Sequence, residues 1–275
     1  MKKLFALLLT AAMLFSLAAC GSGSKYYGKY NTVADGKLTV ATSPDFAPYE
    51  FYAIDADGKA QLAGFDMALA QYIADYLGLE LEVVPMDFDG TIGELTNNKC
   101  DLGMAGYSPD PDRAEVMDFS DVYITGGQSF VCLQSNKDKF QSLDDANKSG
   151  IQVAAQIGSI QMDLAEQYSA NAEIVPLSKV TDIITELVAG KLDGAYVETM
   201  VAESYAKNYS DLCIVLEVPY DAEGSVVGVR KGNEELLKGV NEAIAEVLST
   251  GKMGDFVAEA NELANGEIIE GLLEN

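Results

Sequence analysis

One arginine stands where the chain could bind an anion. The sequence holds sixteen lysines but two arginines, Arg113 and Arg230, and Arg113 ends the loop SPDPDR that follows the apolar run DLGMAG. Asp110 suits a helix N-cap and Pro111 the first helical position, which predicts Arg113 in the first turn of a helix. Free backbone N–H groups and the positive end of the helix dipole converge there, and Ser108 adds a hydroxyl. This combination suits a carboxylate, which arginine binds through two parallel hydrogen bonds.

Glu198 is the second residue with candidate binding chemistry, because it ends the apolar run DGAYV. A carboxylate placed across a cleft from Arg113 would pair with a ligand ammonium while Arg113 held the ligand carboxylate. Such a pair of charges points to α-amino acids. Taken singly, each residue has a structural alternative. Arg113 could form a surface ion pair with Asp112 or Asp118, and Glu198 could be a solvated acid at a strand end; spacing leaves both open.

Aromatic residues and one small-residue turn complete the candidate set. Phe46, in the loop SPDFAPYEF, and Phe88, in PMDFDG, could cover an apolar ligand side chain, whereas core packing is favoured for Tyr49 and Phe51. The turn GSIQ over residues 158–161 could offer backbone N–H groups to an anion. It lacks the spacing of a P-loop, so nucleotide binding is not predicted.

Two absences from the sequence narrow the chemistry. The chain contains no histidine, which excludes Ser-His-Asp and Cys-His catalysis and histidine-ligated zinc. Besides Cys20, the cysteines are Cys100, Cys132 and Cys213, and no CxxC pair occurs. In an exported chain, three cysteines permit one intramolecular disulfide, for which Cys132 with Cys213 is one pairing, and buried free thiols are an equal alternative. No metal and no cofactor are predicted.

The charge balance excludes another class of function. The chain carries 43 acidic against 18 basic side chains, a net charge of −25, whereas nucleic-acid binding needs a basic surface. Such a charge favours a soluble chain, and we expect a monomer. A hydrophobic content of 48%, with 14 tyrosines and 10 phenylalanines, supplies a buried core. The length allows one large domain or two lobes of ordinary size.

The first residues have the pattern of an export signal. Lys2 and Lys3 precede an apolar stretch over residues 4–17, which is shorter than the ~20 residues that span a bilayer. LAAC, at residues 17–20, resembles a bacterial lipobox, which implies cleavage before Cys20 and lipid attachment to its thiol. We therefore expect a signal peptide over residues 1–19 and a flexible tether over residues 20–36. The expected location is extracytoplasmic, with the chain anchored to the cell membrane by lipid.

The hydrophobic pattern behind these residues alternates between strands and helices. Strands are predicted for KLTVATS (residues 37–43), LELEVVPM (79–86) and DLGMAG (101–106). The segment GFDMALAQYIADYLG, residues 64–78, has the spacing of an amphipathic helix with Gly78 as its C-cap, and a shorter helix is predicted over residues 91–98. Strand, helix, strand, helix, strand predicts βαβ units and a parallel sheet.

A repeated unit predicts two lobes. ELTNNKCDLGMAG (residues 94–106) and ELVAGKLDGAYVE (186–198) share E-L-x-x-x-K-x-D at identical offsets. We therefore expect an α/β fold of two similar lobes, each a mainly parallel sheet flanked by helices and joined by two extended hinge crossings. Residues 37–127 and 221–275 would form lobe I, and residues 128–220 would form lobe II. Because open sheets of this kind bind ligands beyond the carboxyl ends of their strands, the ligand would lie in the cleft between the lobes.

As a set, these motifs resemble a known family, the type II extracytoplasmic solute-binding proteins of ABC importers, in the polar amino-acid group. The resemblance rests on VATSPDFAPYEF, GFDMALAQYIADYLG, DLGMAGYSPDPDR and ELVAGKLDGAYVE. It implies a two-lobe Venus-flytrap fold, a free L-α-amino acid as ligand and an ABC permease as partner. The implied contacts are Arg113, Ser108 and the backbone of Ser159 and Ile160 for the ligand carboxylate, Glu198, Ser108 and the Gly106 carbonyl for its ammonium, and Phe46 and Phe88 for its side chain.

The sequence departs from this family at residues that would contact the ligand. Glu198 stands where the family more often has Asp, Ala105 replaces a small polar residue, and Gln156 stands where some relatives have Lys. Ser43 stands where relatives carry an Asp that contacts a cationic or amide side chain. With Ala105 and Gln156 kept as candidate contacts, these departures favour a neutral ligand side chain, polar or aromatic. Three nearby acids could still supply negative charge to the cleft: Asp45, Asp87 and Asp89.

Two other functions could use the same scaffold. An enzyme of the dehydratase type would need Glu198 as acid or base, and no second acid is clearly placed beside it. A lipid-anchored amino-acid sensor would use the fold without transport, and it would need a further domain for signalling, which we do not expect. The binding protein is therefore the leading hypothesis.

Overall fold

The computed structural model describes residues 26–55, 58–221 and 224–266, so the predicted signal peptide and Cys20 lie outside the described residues. The strands are β1 Lys37–Thr42, β2 Asp45–Phe46, β3 Glu50–Ile54, β4 Ala60–Ala63, β5 Glu80–Pro85, β6 Leu102–Tyr107, β7 Met117–Phe119, β8 Gln128–Leu133, β9 Gln152–Gln156, β10 Glu173–Leu177, β11 Gly194–Glu198, β12 Leu212–Val218 and β13 Val226–Arg230. The helices are α1 Phe65–Leu77, α2 Phe88–Thr96, α3 Pro111–Val116, α4 Leu143–Ala146, α5 Ile160–Tyr168, α6 Val180–Val188, α7 Thr199–Asn208, α8 Glu234–Ser249 and α9 Lys252–Ala264, with a 3-10 helix at Gln134–Lys139. Within these ranges, no helix combines the length and the apolar character that a membrane span requires.

Two five-stranded sheets form the centres of two lobes. In lobe I the strand order is β5-β1-β6-β13-β7, with β1 parallel to both neighbours and β13 antiparallel to both. In lobe II the order is β10-β9-β11-β8-β12, with β9 parallel to both neighbours and β8 antiparallel to both. The predicted two-lobe α/β fold is confirmed. The prediction of mainly parallel sheets is corrected to mixed sheets, because the strands that flank the crossings run antiparallel to their neighbours.

Helix α1 shows how the apolar pattern builds lobe I. Leu69 and Ile73 on its apolar face are fully buried, and the helix packs against α8 and α9. Gly78 ends the helix with a left-handed φ of 69°, and its N–H bonds back to the last turn. The helices predicted over residues 64–78 and 91–98 are confirmed as Phe65–Leu77 and Phe88–Thr96.

The repeated E-L-x-x-x-K-x-D unit has the same role in both lobes. Its Glu and Lys form an ion pair at the turn after a helix, and its Asp accepts a hydrogen bond from an N–H of the first parallel strand of that lobe. In lobe I these contacts are Glu94–Lys99 at 2.9 Å and Asp101 to the N–H of Thr39 at 3.1 Å; in lobe II they are Glu186–Lys191 at 2.7 Å and Asp193 to the N–H of Gln152 at 3.0 Å. The repeated sequence unit therefore forms the same contacts in both lobes.

The two chain crossings between the lobes run side by side. Ile124 on the first crossing and Ser225 on the second form an antiparallel bridge. The first crossing continues into β8, and β12 leads into the second, so the two crossings join the edge strand β12 and its neighbour β8 of lobe II to lobe I.

Residues 26–36, part of the predicted tether, are fixed to lobe I. The N–H of Val33 donates to the buried carboxylate of Asp101 over 2.9 Å. The guanidinium of Arg230 lies 3.9 Å from the ring centre of Tyr26. These contacts correct the prediction of a flexible tether over residues 26–36, because the chain there satisfies buried charged groups of lobe I.

Candidate functional site

A small cavity lies between the two lobes. It is lined by Phe46, Phe88, Ala105, Gly106, Ser108 and Arg113 of lobe I and by Gln156, Ile160 and Gln161 of lobe II. The structure thus brings together eight of the ten ligand-binding residues predicted from the sequence. The two predicted residues outside this lining are Ser159 and Glu198.

The start of helix α3 positions Arg113. Asp110 is the N-cap, and its carboxylate accepts hydrogen bonds from the N–H groups of Asp112 over 2.9 Å and of Arg113 over 3.1 Å. Pro111 stands at the start of the helix, where an N–H would have no helical partner. The predicted helix start is confirmed, and from it the Arg113 side chain reaches lobe II.

The guanidinium of Arg113 bridges the lobes without an acidic partner. Nη1 donates to the Ser108 carbonyl over 3.3 Å, and Nη2 donates to the Gly158 carbonyl of lobe II over 3.1 Å. The residue is only 8% exposed, and burial lowers the pKa of its guanidinium. Within the described residues no carboxylate forms an ion pair with it, and Asp118 pairs with Lys231 at 2.8 Å instead. The alternative of a surface ion pair for Arg113 is therefore wrong.

Aromatic rings form the lobe I wall around Arg113. Its guanidinium carbon lies 5.4 Å from the ring centre of Phe88 and 5.8 Å from that of Tyr107, and these two rings meet edge to face at 5.7 Å. Phe46, the other ring of the cavity, packs on Tyr49 with ring centres 5.3 Å apart. Phe46 and Phe88 can therefore contact the apolar part of a ligand.

The end of β6 brings main chain to the cavity at Ala105 and Gly106. Gly106 has a left-handed φ of 58°, and a Cβ there would lie 2.7 Å from the Phe46 ring. Its N–H donates over 3.2 Å to the buried carboxylate of Asp66, whose other oxygen accepts from the Tyr123 hydroxyl over 2.7 Å. Only glycine fits this position, and Asp66 holds it from behind.

Lobe II contributes the turn that follows β9. Gly158 has a φ of 73°, and Ser159 caps helix α5 by accepting a hydrogen bond from the N–H of Met162 over 3.2 Å. The N–H of Ser159 itself donates to the Gln156 carbonyl over 3.3 Å, so this predicted donor is engaged inside the turn. Ile160, the first residue of α5, lines the cavity.

Two glutamines face the cavity from lobe II. Gln156 donates through Nε2 to the Asp45 carboxylate over 3.2 Å and to the Ser178 carbonyl over 3.0 Å. Gln161 donates through Nε2 to Gln128 over 2.8 Å. Sequence reasoning missed Gln161 as a lining residue, and the available signal was its place at the end of the turn GSIQ.

Glu198 lies at the hinge and caps helix α7. Its Oε2 accepts a hydrogen bond from the N–H of Val201 over 2.9 Å, whereas Oε1 is buried without a hydrogen-bond partner among the described atoms. A Cβ on Gly126 of the first crossing would lie 2.7 Å from Oε1 and 3.3 Å from the Tyr49 hydroxyl. The Glu198 carboxylate and the Tyr49 hydroxyl therefore both lie against Gly126 at the hinge. Burial raises the pKa of Glu198 to about 7. The structure does not place Glu198 in the cavity wall opposite Arg113.

Asp45 ties the lobes together, a role that sequence reasoning missed. Its Oδ2 accepts a hydrogen bond from the N–H of Val180, at the start of helix α6, over 2.5 Å. Its main-chain carbonyl accepts from the Tyr205 hydroxyl over 3.1 Å, and its Oδ1 accepts from Ser43 over 2.9 Å. Burial raises the pKa of Asp45 to about 6. No local signal marks this role, because Val180 and Tyr205 lie 135 and 160 residues further along the chain.

The chemistry of the cavity is that of a ligand-binding site. Its lining offers one fixed positive charge, one hydroxyl, two amides and two aromatic rings, which are groups that orient a small polar ligand. Within the part of the chain that the structure describes, no group of three or more His, Cys, Asp or Glu side chains could hold a metal ion.

Comparisons with known proteins agree with this picture. Residues 38–259 match the family of bacterial extracellular solute-binding proteins, family 3. The chain is 34% identical to the arginine-binding extracellular protein of Bacillus subtilis over 260 residues. This match covers 92% of this chain and 95% of that protein. The crystal structure of an amino acid ABC transporter substrate-binding protein of Streptococcus pneumoniae bound to L-arginine matches with a TM-score of 0.81 and 34% identity, covering 84% of this chain and 97% of that one.

One similar protein is an enzyme. The cyclohexadienyl dehydratase of Pseudomonas aeruginosa is 27% identical over 223 residues, which cover 80% of this chain and 82% of that enzyme. The proteins similar to this chain therefore include both amino-acid-binding proteins and an enzyme.

Proposed function

The chain belongs to family 3 of the bacterial extracellular solute-binding proteins, and from this premise we propose that it captures one free L-α-amino acid between its lobes and delivers it to an ABC importer. Similarity to amino-acid-binding proteins of ABC transporters supports both halves of the proposal. The two-lobe fold supports a cycle in which the ligand stabilises the closed form by contacting both lobes.

Arg113 carries the proposal. A buried guanidinium with two carbonyl partners and no acid leaves a positive charge in the cavity wall, which is costly unless an anion binds there. The α-carboxylate of an amino acid would supply that anion through two parallel hydrogen bonds. The Ser108 hydroxyl and the backbone of Ile160 belong to the same lining and would complete the carboxylate site.

The ammonium of the ligand would bind toward the hinge. The unpartnered Oε1 of Glu198 is a buried acceptor, and it lies beside Tyr49, whose ring is close to Gly106 in the cavity wall. The Gly106 carbonyl, Ser108 and Glu198 are therefore the proposed ammonium contacts. An ammonium would offset the charge of Glu198, for which burial otherwise favours the protonated form.

For the ligand side chain we propose a neutral group, polar or aromatic. The residues that line the cavity include Arg113 and no acid. The carboxylate of Asp45 already accepts hydrogen bonds from Val180 and Gln156, so a guanidinium would have to displace them. The amide of Gln161 and the two rings of the lining would contact a neutral side chain. Arginine, which the streptococcal relative holds, is the main competing ligand.

The location and the boundaries complete the proposal. We propose an extracytoplasmic monomer that is held to the membrane by lipid on Cys20 after removal of residues 1–19. Lobe I would comprise residues 37–127 and 221–275, and lobe II residues 128–220. The sheet composition supports these boundaries, since β8 to β12 form one five-stranded sheet, while β1, β5, β6, β7 and β13 form the other.

Binding without catalysis is the part of the proposal that the dehydratase relative challenges. Glu198 has a buried oxygen without a hydrogen-bond partner among the described atoms, and its other oxygen caps helix α7. General acid–base catalysis would need such a group to face the reacting atoms, and Glu198 is not in the cavity lining.

Calorimetric titration with each of the twenty common amino acids tests the proposal. We expect micromolar or tighter binding of one or a few neutral amino acids, with the ligand recovered unchanged after prolonged incubation. Tightest binding of arginine would overturn the side-chain assignment alone. Absence of binding to every amino acid would overturn the proposed function, and conversion of prephenate or arogenate during incubation would favour the enzyme.

A further inference from the structure

Two buried cysteines of lobe II lie directly opposite each other. Cys132 on β8 and Cys213 on β12 are register partners in an antiparallel pair of strands. Both occur as free thiols, and their sulfur atoms are 3.8 Å apart. Cys132 is fully buried and Cys213 nearly so. Sequence spacing left their pairing open, and the strand register now brings them into contact.

The backbone at these positions fits a disulfide. The N–H of Gln134 donates to the Asp211 carbonyl over 2.7 Å, and because hydrogen-bonded pairs alternate along an antiparallel ladder, Cys132 and Cys213 form the next such pair. Cα atoms in such pairs are about 5.5 Å apart, inside the range of about 4.4–6.8 Å that disulfides span. Closing the bond needs rotation of the two side chains and a closer approach of the two strands, because the Cβ atoms of directly opposed residues are about 4.5–5.5 Å apart and those of a disulfide about 3.5–4.5 Å.

We propose that Cys132 and Cys213 form an intramolecular disulfide in the exported protein and thereby pin strand β12 to β8. The oxidant is a disulfide of low molecular weight or of an oxidising protein. Each cysteine loses one hydrogen, the bond between the two sulfur atoms forms, and the oxidant is reduced to two thiols. Extracellular proteins meet conditions in which such bonds persist, and the family of this chain is extracellular.

The bond forms as the chain folds. In the folded protein, burial and the neighbouring thiol raise the pKa of Cys132 to about 12, so thiolate is scarce and exchange with solvent oxidants is slow. In the unfolded chain both thiols are accessible, and the strand register then selects this pair. Cys100 lies in the other lobe, buried in a separate apolar cluster, and stays a thiol.

The crosslink would fix an edge strand at a weak point. β12 is the edge of its sheet and has a register irregularity between Ile214 and Leu216, one residue after Cys213. β12 also leads into the second crossing. A covalent bond before the irregularity therefore holds the register of the strand that connects lobe II to the hinge. Neither cysteine lines the cavity, so ligand affinity should not depend on the bond.

Peptide mapping of the exported full-length protein tests the proposal directly. Trypsin, which cleaves after Lys and Arg, places the three cysteines in separate peptides, residues 100–113, 114–137 and 208–230. After thiol alkylation in denaturant and digestion without reductant, we expect peptides 114–137 and 208–230 to run as one linked species, with its mass lower than their sum by two hydrogens. Peptide 100–113 should be fully alkylated, which makes Cys100 the internal control.

A refolding arm keeps the test independent of the expression host. The chain is unfolded, refolded in a glutathione redox buffer and mapped in the same way, beside Cys132→Ser and Cys100→Ser variants. The linked species should form in the parent and in Cys100→Ser, with a higher melting temperature than the reduced form and unchanged ligand affinity. If both thiols of lobe II are alkylated as completely as Cys100 in exported and in refolded protein, the proposal is wrong.

Discussion

The carboxylate of Asp45 in lobe I caps a helix of lobe II. Its Oδ2 accepts a hydrogen bond from the N–H of Val180, the first residue of α6, over 2.5 Å, and a second from Gln156 over 3.2 Å. A carboxylate at a helix N-terminus interacts favourably with the helix dipole and with otherwise unpaired N–H groups. Because the two groups belong to different lobes, this contact exists only while the lobes are closed.

Replacing Asp45 with Asn should weaken ligand binding by favouring the open form. The amide oxygen can still accept from Val180, but the charge-assisted part of the contact is lost. Hydrogen bonds to charged groups contribute about 1.5–3 kcal/mol and neutral ones about 0.5–1.5 kcal/mol, so we expect a loss of at least about 1 kcal/mol and a rise of the Kd at pH 8 of about fivefold or more. Titration calorimetry measures the change. The matched control is Asp75→Asn on the exposed face of α1, and equal affinities of the two variants would show that Asp45 does not stabilise closure.

Glu198→Gln separates a ligand role from a structural one. The amide oxygen of glutamine can still accept from the N–H of Val201, so the cap of α7 remains while the negative charge is removed. If Glu198 binds the ligand ammonium, affinity at pH 8 falls by about 1.5–3 kcal/mol while the unfolding free energy of the ligand-free protein holds or rises. A loss of stability with unchanged affinity would assign Glu198 to the hinge alone.

The buried acids should make the ligand-free protein less stable as the pH rises. Burial raises the pKa of Asp45 and Asp66 to about 6 and of Glu198 to about 7, and burial together with Asp66 raises the pKa of Glu50 well above its usual value. The folded state thus binds more protons than the unfolded state, whose carboxyl groups titrate near pH 4. The contribution of these four acids to stability is therefore fully present below that pH and is lost as the pH rises through about 6 to 7 and above.

Glu50→Gln isolates one of these acids. Both carboxylate oxygens of Glu50 are buried without a hydrogen-bond partner among the described atoms, so its ionised form is uncompensated, and the variant replaces it with a group that stays neutral. We expect its unfolding free energy at pH 8 to exceed that of the parent by about 1–2 kcal/mol, with the difference shrinking toward pH 5. Denaturant unfolding at pH 5 and pH 8 gives both values, and parallel pH profiles of parent and variant would contradict this account.

Gly126→Ala should damage the hinge. The added Cβ would meet Oε1 of Glu198 at 2.7 Å and the Tyr49 hydroxyl at 3.3 Å, so at least one of them must move. Crowding in a packed site costs about 1–3 kcal/mol. Gly93→Ala in helix α2, where nothing lies within 4 Å, is the control and should gain about 0.5–1 kcal/mol. Thermal unfolding compares the two, and an equally stable Gly126→Ala variant would show that the hinge is loosely packed.

The parts of the fold that the sequence predicted are those with local causes. The amphipathic spacing before Gly78 set helix α1, and the Asp110-Pro111 start set helix α3 and the place of Arg113. The repeated unit was visible in the sequence because the Glu and Lys of its ion pair and its Asp recur at the same offsets in both lobes. The sequence also predicted those cavity-lining residues that stand at strand ends and helix starts.

Contacts between distant segments could not be predicted in this way. Asp45 and Val180 are 135 residues apart, and neither sits in a pattern that marks a partner. Glu198 was expected to face Arg113, because both follow strand ends. Its carboxylate instead caps the helix that begins at the next residue, Thr199, which directs it toward Gly126 and the hinge. Capping by an acid is a local option that periodicity does not distinguish from ligand contact.

The central claim is that Arg113 binds the carboxylate of an amino acid, and titration of two variants tests it most directly. The parent, Arg113→Ala and Arg113→Lys are titrated with the tightest-binding amino acid, with the exposed Lys137→Ala as control. Arg113→Ala loses a bidentate, buried charge pair with the ligand, so its affinity should be at least a hundredfold weaker than that of the parent. Arg113→Lys should recover part of this affinity, because lysine keeps the charge without the bidentate geometry. Lys137→Ala should bind with the affinity of the parent. Binding of the same amino acid with unchanged affinity in a folded Arg113→Ala protein would contradict the account.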